Sequence, residues 1–327
     1  MSRYYEITVT PRIPNAGAST PWVWTSFPGG VNDPGALNVE FDFFSSTTYQ
    51  GGQAPVGTLT IEGIALPDLF QTQQFYDAGI IVKAGMQKGL PLAQPSQAGT
   101  IWNGTVNQAF GNWVGTEMTL DFVMYPSVNY TLQKPGNFVF NWQPGTSLQS
   151  ALTTCFATAY PGLASPKFAI GSQYVPPGNG GVHAVSTFPL LCQYVNSITK
   201  SITPPGVFMA INPDNSIHVW DGTKNAVQAT VAFTDLIGQP TWIGANLMQF
   251  MTVMRADIQA GDVVTLPQGI GAAGSVSTTA AAFPSQLGPQ YKTAFQGNFS
   301  IQSVRYIGNF RDPNGQSWAT VFKAVPI

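Results

Sequence analysis

The chain has 327 residues, of which 44% are hydrophobic, 12% aromatic and only 9% charged, and its formal net charge is -2. Disordered chains combine low hydrophobicity with high net charge, so this composition argues against disorder. It also argues against a general nucleic-acid binder, since such proteins carry a basic surface and a high pI. No stretch approaches the length of a membrane-spanning helix and the first residues lack an apolar signal region, so we expect neither a membrane span nor a signal peptide.

The low charge is unusual, because an average globular protein has about 25% charged residues. Interface cores are depleted in charge and enriched in aromatic residues, and this chain has 8 Trp, 11 Tyr and 21 Phe. Both a subunit of an assembly and a monomer with a neutral polar surface fit this composition. The charge is also uneven, since residues 1–130 hold more acidic than basic side chains and the remaining residues do not.

Residues 1–128 contain short runs typical of strands, separated by Gly and Pro turns, which indicates a barrel or a sandwich. Alternation in the run 38–43 places Val39, Phe41 and Phe43 on the core side. Glu40 and Asp42 then share the opposite face, about 7 Å apart along the strand. The other predicted strands of this part are 57–64, 78–86, 100–106 and 118–126, with a short helix over 66–76.

In the middle of the chain, the spacing of apolar residues changes from that of strands to that of helices. Apolar residues recur at helical spacing from Leu148 to Ala159, which predicts an amphipathic helix over 146–160. A second helix is predicted at about 188–202, and the two are joined by a connection over 172–186 that is rich in turn residues. A hairpin is predicted around 213–215. This part of the chain is therefore expected to form a small α/β unit.

Residues 230–327 return to strand-like runs, interrupted by a Gly- and Ala-rich segment over 267–290 that we expect to be a long loop. A weak internal repeat is visible, because the order Gly, Gly-Asn-aromatic, Phe and Pro occurs in 104–126 and again in 297–326. This repeat predicts a duplicated barrel with the same strand order in both copies.

Residue patterns that would indicate catalysis or metal binding are weak. His183 and His218 lie in no metal-ligand pattern, and His218 is expected on the polar face of a hairpin strand. Cys155 and Cys192 fall on apolar helical faces, so we expect both to be buried. The string GIGAAG at 269–274 lacks the following helix and acidic residue of a dinucleotide site. We therefore assign no catalytic, cofactor-binding or metal-ligating residue.

Glu40 and Asp42 are the candidate functional pair. Glycosidases need two carboxyl groups at a set separation, but no acidic residue here lies within an apolar cluster that would raise its pKa. A solvated acidic face is the simpler interpretation. A glycosidase and a carbohydrate-binding β protein remain the alternatives to an assembly subunit.

Several segments resemble the baseplate hub proteins of contractile-tailed bacteriophages, the Mu-type tail hub family. The likeness spans nearly the whole chain, although each motif is short and none is catalytic. The segments are IEGIALPDLF (61–70), GIIVKAGM (79–86), IWNGTVNQAF (101–110), TSLQSALTTCF (146–156), 235–266 with its LIGxP and GDVVTL strings, and 295–325. The connection 172–186 and the loop 267–290 depart from the family pattern.

This resemblance implies a mainly β (α+β) fold with two tandem tube-like β-barrel domains, 1–128 and 230–327, and a small α/β domain at 129–229 between them. It implies a structural, non-enzymatic homotrimer without a cofactor, located in the virion tail baseplate and made in the bacterial host cytoplasm. Such a hub joins the tail tube to the membrane-piercing spike and adapts threefold to sixfold symmetry. Its partners would be the central spike, tail tube, tape-measure and baseplate wedge proteins, with DNA only as passing cargo during ejection.

Within such a ring, Glu40 and Asp42 could face the lumen, a salt-bridged subunit interface or the outer solvent. We favour the lumen, because a negative wall repels DNA phosphates over about 8 Å at physiological salt, whereas a basic wall would bind them.

Overall fold

The computed structural model describes residues 3–11, 20–46, 56–70, 72–87, 94–126, 137–161, 164–176, 178–222, 228–267 and 297–327. These residues form a mainly β protein with few helices, as the sequence predicts. Nearly all of the expected loop at 267–290 lies outside the described residues, and so does the GIGAAG string.

The predicted strand runs of both ends of the chain are found. The N-terminal elements are β1 (Arg3–Thr10), β2 (Trp22–Thr25), β3 (Asn38–Ser46), β4 (Gly57–Glu62), α1 (Leu66–Leu69), β5 (Gly79–Met86), β6 (Gly99–Val114) and β7 (Glu117–Pro126). The middle elements are β8 (Phe138–Trp142), α2 (Leu148–Ala159), β9 (Ala164–Ala169), β10 (Gly181–Val185), α3 (Phe188–Lys200), β11 (Phe208–Ile211) and β12 (Ser216–Trp220). The C-terminal elements are β13 (Gln228–Thr230), β14 (Thr241–Gly244), β15 (Leu247–Val253), β16 (Val263–Thr265), β17 (Asn298–Asn309) and β18 (Trp318–Pro326).

The N- and C-terminal strands form one 13-stranded sheet rather than two separate closed barrels. Its main path runs β14-β15-β18-β17-β3-β4-β7-β6-β5-β1-β2, and β13 and β16 join it at β17. Strands β17 and β3 are antiparallel, from Ser303 opposite Ser46 to Asn309 opposite Glu40. Because β17 is long, its first residues pair with β16 and the rest with β3. The described strands therefore continue from one half into the other and close no barrel within the chain.

The two halves repeat the same strand order. In the N-terminal half the order is β5-β6-β7-β4-β3, and in the C-terminal half it is β16-β17-β18-β15-β14. The hairpins β6–β7 and β17–β18 carry a bulge at the same place, and Pro126 and Pro326 lie at equivalent ends. Counted from this bulge, Gly104 corresponds to Phe299, so the predicted match of Gly104 with Gly297 is off by two residues. One further difference is that β1 is antiparallel to β5, whereas β13 is parallel to β16.

Both halves share one hydrophobic core, because aromatic side chains from each meet beneath the β3–β17 junction. The ring of Phe41 lies 5.2 Å from that of Trp318, and the ring of Phe43 lies 5.0 Å from that of Trp102. All four side chains are buried, as is Val39 on the same face of β3. The alternation in the sequence thus correctly predicts which face of β3 is buried.

The middle part of the chain has a second core built on its helices. Helix α2 begins after Ser147, whose hydroxyl accepts a hydrogen bond from the backbone N–H of Ser150, and α3 begins after Thr187. The helices predicted at 146–160 and 188–202 are thus confirmed. The apolar side of α2 is buried, with Leu152 fully inaccessible to solvent.

The connection at 172–186, which the sequence predicts to be rich in turns, also contains the strand β10. This strand pairs with β8 from Gly181 opposite Trp142 to Val185 opposite Phe138. Strand β8 buries every second side chain, and β10 provides hydrogen-bond partners for its backbone. The Gly and Pro residues that surround this five-residue strand concealed it in the sequence.

Candidate functional site

A depression lies on the side of the sheet that faces away from the core. We call this side of strands β15, β18, β17, β3, β4, β7 and β6 the open face. The depression is lined by Asp42, Phe44, Val56, Thr58, Gln249, Met251, Ser303, Arg305, Ile307, Val321 and Lys323. These residues come from both halves of the sheet, so the surface exists only because β3 and β17 pair.

Glu40 and Asp42 both lie on the open face, but they differ in exposure and in hydrogen-bond partners. The side chain of Glu40 is exposed, and no described residue forms an ion pair or hydrogen bond with it. Its neighbours in register are Thr60 on β4 and Asn309 on β17. Asp42 is partly exposed and ion-paired. The two carboxylates therefore do not act as a matched pair.

Asp42 is bound at two points by Arg305 of β17. The guanidinium donates from Nε to Oδ1 at 2.8 Å and from its terminal nitrogen to Oδ2 at 2.5 Å. These hydrogen bonds raise the pKa of Arg305 above its usual value. Sequence reasoning missed this partner because 263 residues separate the two side chains. The available signal was the alternation in 298–309, which places Arg305 among outward-facing positions.

Two other carboxylates of the open face are held by neutral donors. Asp121 on β7 accepts hydrogen bonds from Thr60 at 2.6 Å and from Asn112 at 2.7 Å. Glu62 accepts one from Asn38 at 3.0 Å. Among the described residues of this face, the acidic side chains lie on β3, β4 and β7, while Arg305 and Lys323 lie on β17 and β18. The open face is thus acidic in its N-terminal half and basic in its C-terminal half.

The geometry does not resemble that of an acid–base pair. A glycosidase acid needs a carboxyl group whose pKa is raised by an apolar pocket. Glu40 is exposed on an open surface, and both oxygens of Asp42 accept hydrogen bonds from Arg305. This arrangement is suited to a charged wall rather than to proton transfer.

His218 does not lie on a polar strand face, so that prediction was wrong. All five residues of β12 are buried, because the strand packs against the middle core on one side and near Ala260 on the other. Burial lowers the pKa of His218 to about 4. Its Nε2 lies 3.9 Å from Asp214, which is ion-paired with Lys167.

The remaining candidate side chains have structural surroundings. His183 stacks on Tyr194 with ring centroids 3.8 Å apart. Cys155 and Cys192 are free thiols and buried, as the helical pattern predicted. Burial raises the pKa of Cys155 to about 11, which disfavours the reactive thiolate.

Within the described ranges, no cluster of three or more His, Cys, Asp or Glu side chains could hold a metal ion. No helix in this part of the chain is long and apolar enough to cross a membrane.

Comparison with known proteins finds similarity in structure only. No protein-family model and no curated protein matches the sequence. The 43 kDa tail protein of prophage MuSo2 from Shewanella oneidensis is similar, with 10% identity and a TM-score of 0.49 over 98% of this chain and 96% of that chain. The tail protein from Neisseria meningitidis MC58 has 8% identity and a TM-score of 0.48 over 98% and 96% of the two chains.

A third similar structure is the E. coli c3393 protein, a component of the type VI secretion system with structural similarity to the T4 tail proteins gp27 and gp5. It has 9% identity and a TM-score of 0.48 over 89% of this chain and 73% of that chain.

Proposed function

We propose that this chain is a structural subunit of a phage tail baseplate, and that three copies form the central hub between the tail tube and the spike. In this proposal the halves 1–128 and 230–327 act as two tube-like units, and 129–229 is an insert between them. The hub resides in the virion, contacts the spike, tube, tape-measure and wedge proteins, and lets DNA pass through its centre.

The repeated strand order supports this proposal most directly. Each chain carries two halves in which five strands follow one another in the same order. Three copies would then present six quasi-equivalent halves, and this number suits an adaptor between a threefold spike and a sixfold tube.

The open face and the composition support the same proposal. A hub subunit is enclosed by neighbours, which agrees with 9% charged residues in the whole chain. The acidic half of the open face, with Glu40 exposed, would suit a lumen that repels DNA. The surface joins both halves, as the wall of a continuous tube requires.

The test is the oligomeric state of the purified protein, measured by light scattering and electron microscopy. We expect a ring of three chains with a central opening and approximate sixfold features at the level of the sheet. A monomer at tens of micromolar that also fails to form rings when mixed with tube and spike proteins would contradict the proposal. Cleavage of cell-wall or polysaccharide substrate that is lost on replacing Glu40 by Gln would favour a glycosidase instead.

A further inference from the structure

Strand β6 has a long segment that is paired on one side only. Residues 99–105 pair with β5, and residues 104–114 pair with β7. Beyond Val106, no described strand continues the sheet on the side of β5. The backbone groups of 108–114 on that side therefore form an edge.

The equivalent strand of the other half shows what such an edge can bind. On β6, Val106 forms two backbone hydrogen bonds with residues 77–78, both at 2.9 Å. On β17, Ile301 forms two backbone hydrogen bonds with residues 261–262, also at 2.9 Å. A bulge follows immediately in both strands. After the bulge β17 pairs with β3, whereas β6 has no such neighbour.

Burial differs between the two strands just where the pairing differs. Counted from the common bulge, Gly111 and Trp113 of β6 correspond to Tyr306 and Gly308 of β17. Tyr306 and Gly308 are buried beside β3, whereas Gly111 and Trp113 are exposed. Natural edge strands are protected from unwanted pairing by charges, especially Lys, yet residues 99–116 contain no charged side chain. This edge has the character of a surface that is covered in the assembled protein.

A matching edge exists at the other end of the sheet. In the repeated strand order, β14 occupies the position of β3, and among the described strands β14 pairs only with β15. The ring of Trp242 is buried as that of Phe43 is. Residues 236–254 also contain no charged side chain. Strand β14 therefore lacks the partner that β3 finds in β17.

We propose that β6 of one copy pairs antiparallel with β14 of a second copy, so that the β17–β3 junction inside the chain is repeated between chains. This contact is heterologous, because two different edges meet, and such contacts form a ring when the rotation closes. The number of copies in the ring, three, rests on the proposed function. The pairing of β6 with β14 rests on the comparison of equivalent strands in the two halves of the chain.

The internal junction also defines the register. Counted from the common bulge, Asn112 of β6 corresponds to Ile307 of β17. The same alignment makes Phe122 equivalent to Phe322. Following the register from these two residues across the neighbouring strands makes Thr241 of β14 equivalent to Asp42 of β3. Since Ile307 lies opposite Asp42, Asn112 should lie opposite Thr241 of the next copy. Residues directly opposite have Cβ atoms about 4.5–5.5 Å apart, close to disulfide range with small adjustments.

The experiment is disulfide formation in the full chain carrying Asn112→Cys with Thr241→Cys. Within one chain, β6 and β14 lie seven strands apart in the sheet order, about 34 Å along the sheet at about 4.8 Å per strand. Electrophoresis without reductant distinguishes the two cases, because a bond between copies gives a covalent dimer or trimer, whereas a bond within one chain leaves a monomer. Under mild oxidation we expect covalent dimers and trimers, with no larger species, that disappear on reduction. Cys155 and Cys192 are buried and should contribute little background.

The matched control is Gln108→Cys with Thr241→Cys. Gln108 is exposed on the same strand, about 13 Å from Asn112 at about 3.3 Å per residue, and should crosslink at least tenfold less. A native ring that forms no bond at 112–241, or bonds equally well at 108–241, would overturn the pairing and leave the hub proposal standing. A chain that stays monomeric would overturn both. Efficient disulfide formation at 112–241 that gives covalent species larger than trimers would support the pairing and contradict the threefold hub.

Discussion

Arg305 neutralises Asp42 across the junction of β17 and β3, through two hydrogen bonds between its guanidinium and the carboxylate. Their side chains are 50% and 43% exposed, so solvent screens the pair and we expect it to stabilise the fold by no more than about 1 kcal/mol. The pair matters more for charge distribution. It leaves Glu40 as the carboxylate of β3 that no described residue neutralises.

Charge reversal at Glu40 tests whether the open face lines the DNA path. Glu40→Lys should leave the fold and assembly intact, because the side chain is exposed and has no partner among the described residues. If the face lines the lumen, DNA ejection should slow, and the slowing should be greater at low salt. Glu40→Gln is the control, and it should have a smaller effect because it adds no positive charge.

The position of the acidic surface follows from the outcome of that experiment. Failure of assembly with Glu40→Lys would indicate a subunit interface, and an unchanged rate of ejection at every salt concentration would indicate outer solvent. Asp42 is unsuited to the same test, because Asp42→Lys would place two cations together and disturb the β17–β3 junction itself.

Arg255 should be the most sensitive charged residue for stability. It is buried, donates to buried Asp235 at 3.0 Å and also binds Asp257. Arg255→Ala leaves Asp235 without its cation and should lower the free energy of unfolding by about 3–5 kcal/mol. The measurement is chemical denaturation. Asp257→Asn is the control, since the Asp257 side chain is 35% exposed and its loss should cost about 1 kcal/mol or less.

Leu152 tests whether α2 belongs to the core of the middle part. The side chain is fully buried, so Leu152→Ala should create a cavity and cost about 2–5 kcal/mol. Gln149 lies on the exposed side of the same helix, and Gln149→Ala should change the melting temperature little. Equal melting temperatures for Leu152→Ala and the unaltered protein would show that this stripe does not support the fold.

His218 and Asp262 should contribute opposite pH dependences to stability. Burial lowers the pKa of His218 from 6.5 to about 4. Between these values the unfolded chain binds a proton that the folded protein does not, so falling pH destabilises the fold. Burial raises the pKa of Asp262 from 3.8 to about 6, which corrects the sequence-based expectation that no acidic residue has surroundings that raise its pKa. Here the folded protein binds the extra proton, so falling pH stabilises it.

The two effects can be separated by replacing one group at a time. Relative to the unaltered protein, His218→Gln should become more stable as the pH falls from 6.5 to 4, and Asp262→Asn should become less stable as it falls from 6 to 4. Each pKa unit corresponds to about 1.4 kcal/mol. Denaturation curves at several pH values measure this. Parallel pH profiles for all three proteins would mean that neither group titrates differently on folding.

The sequence alone determined the local elements. Alternation located β3 and its buried side, and helical spacing located α2 and α3 to within about two residues. These patterns are readable because each reflects which side of one segment meets the core. The recurring Phe and Pro near the ends of both hairpins likewise revealed a repeated strand order, although not its alignment around Gly104.

Only the tertiary structure decided how these elements combine. That β17 continues past β16 to pair with β3, joining two expected barrels into one sheet, depends on backbone hydrogen bonds between segments more than 250 residues apart. The same pairing places Arg305 beside Asp42. The prediction for His218 was wrong because both faces of β12 are buried, and this burial arises from packing between two parts of the chain. Such long-range contacts leave no periodic pattern in either segment, since each strand carries information only about its own two faces.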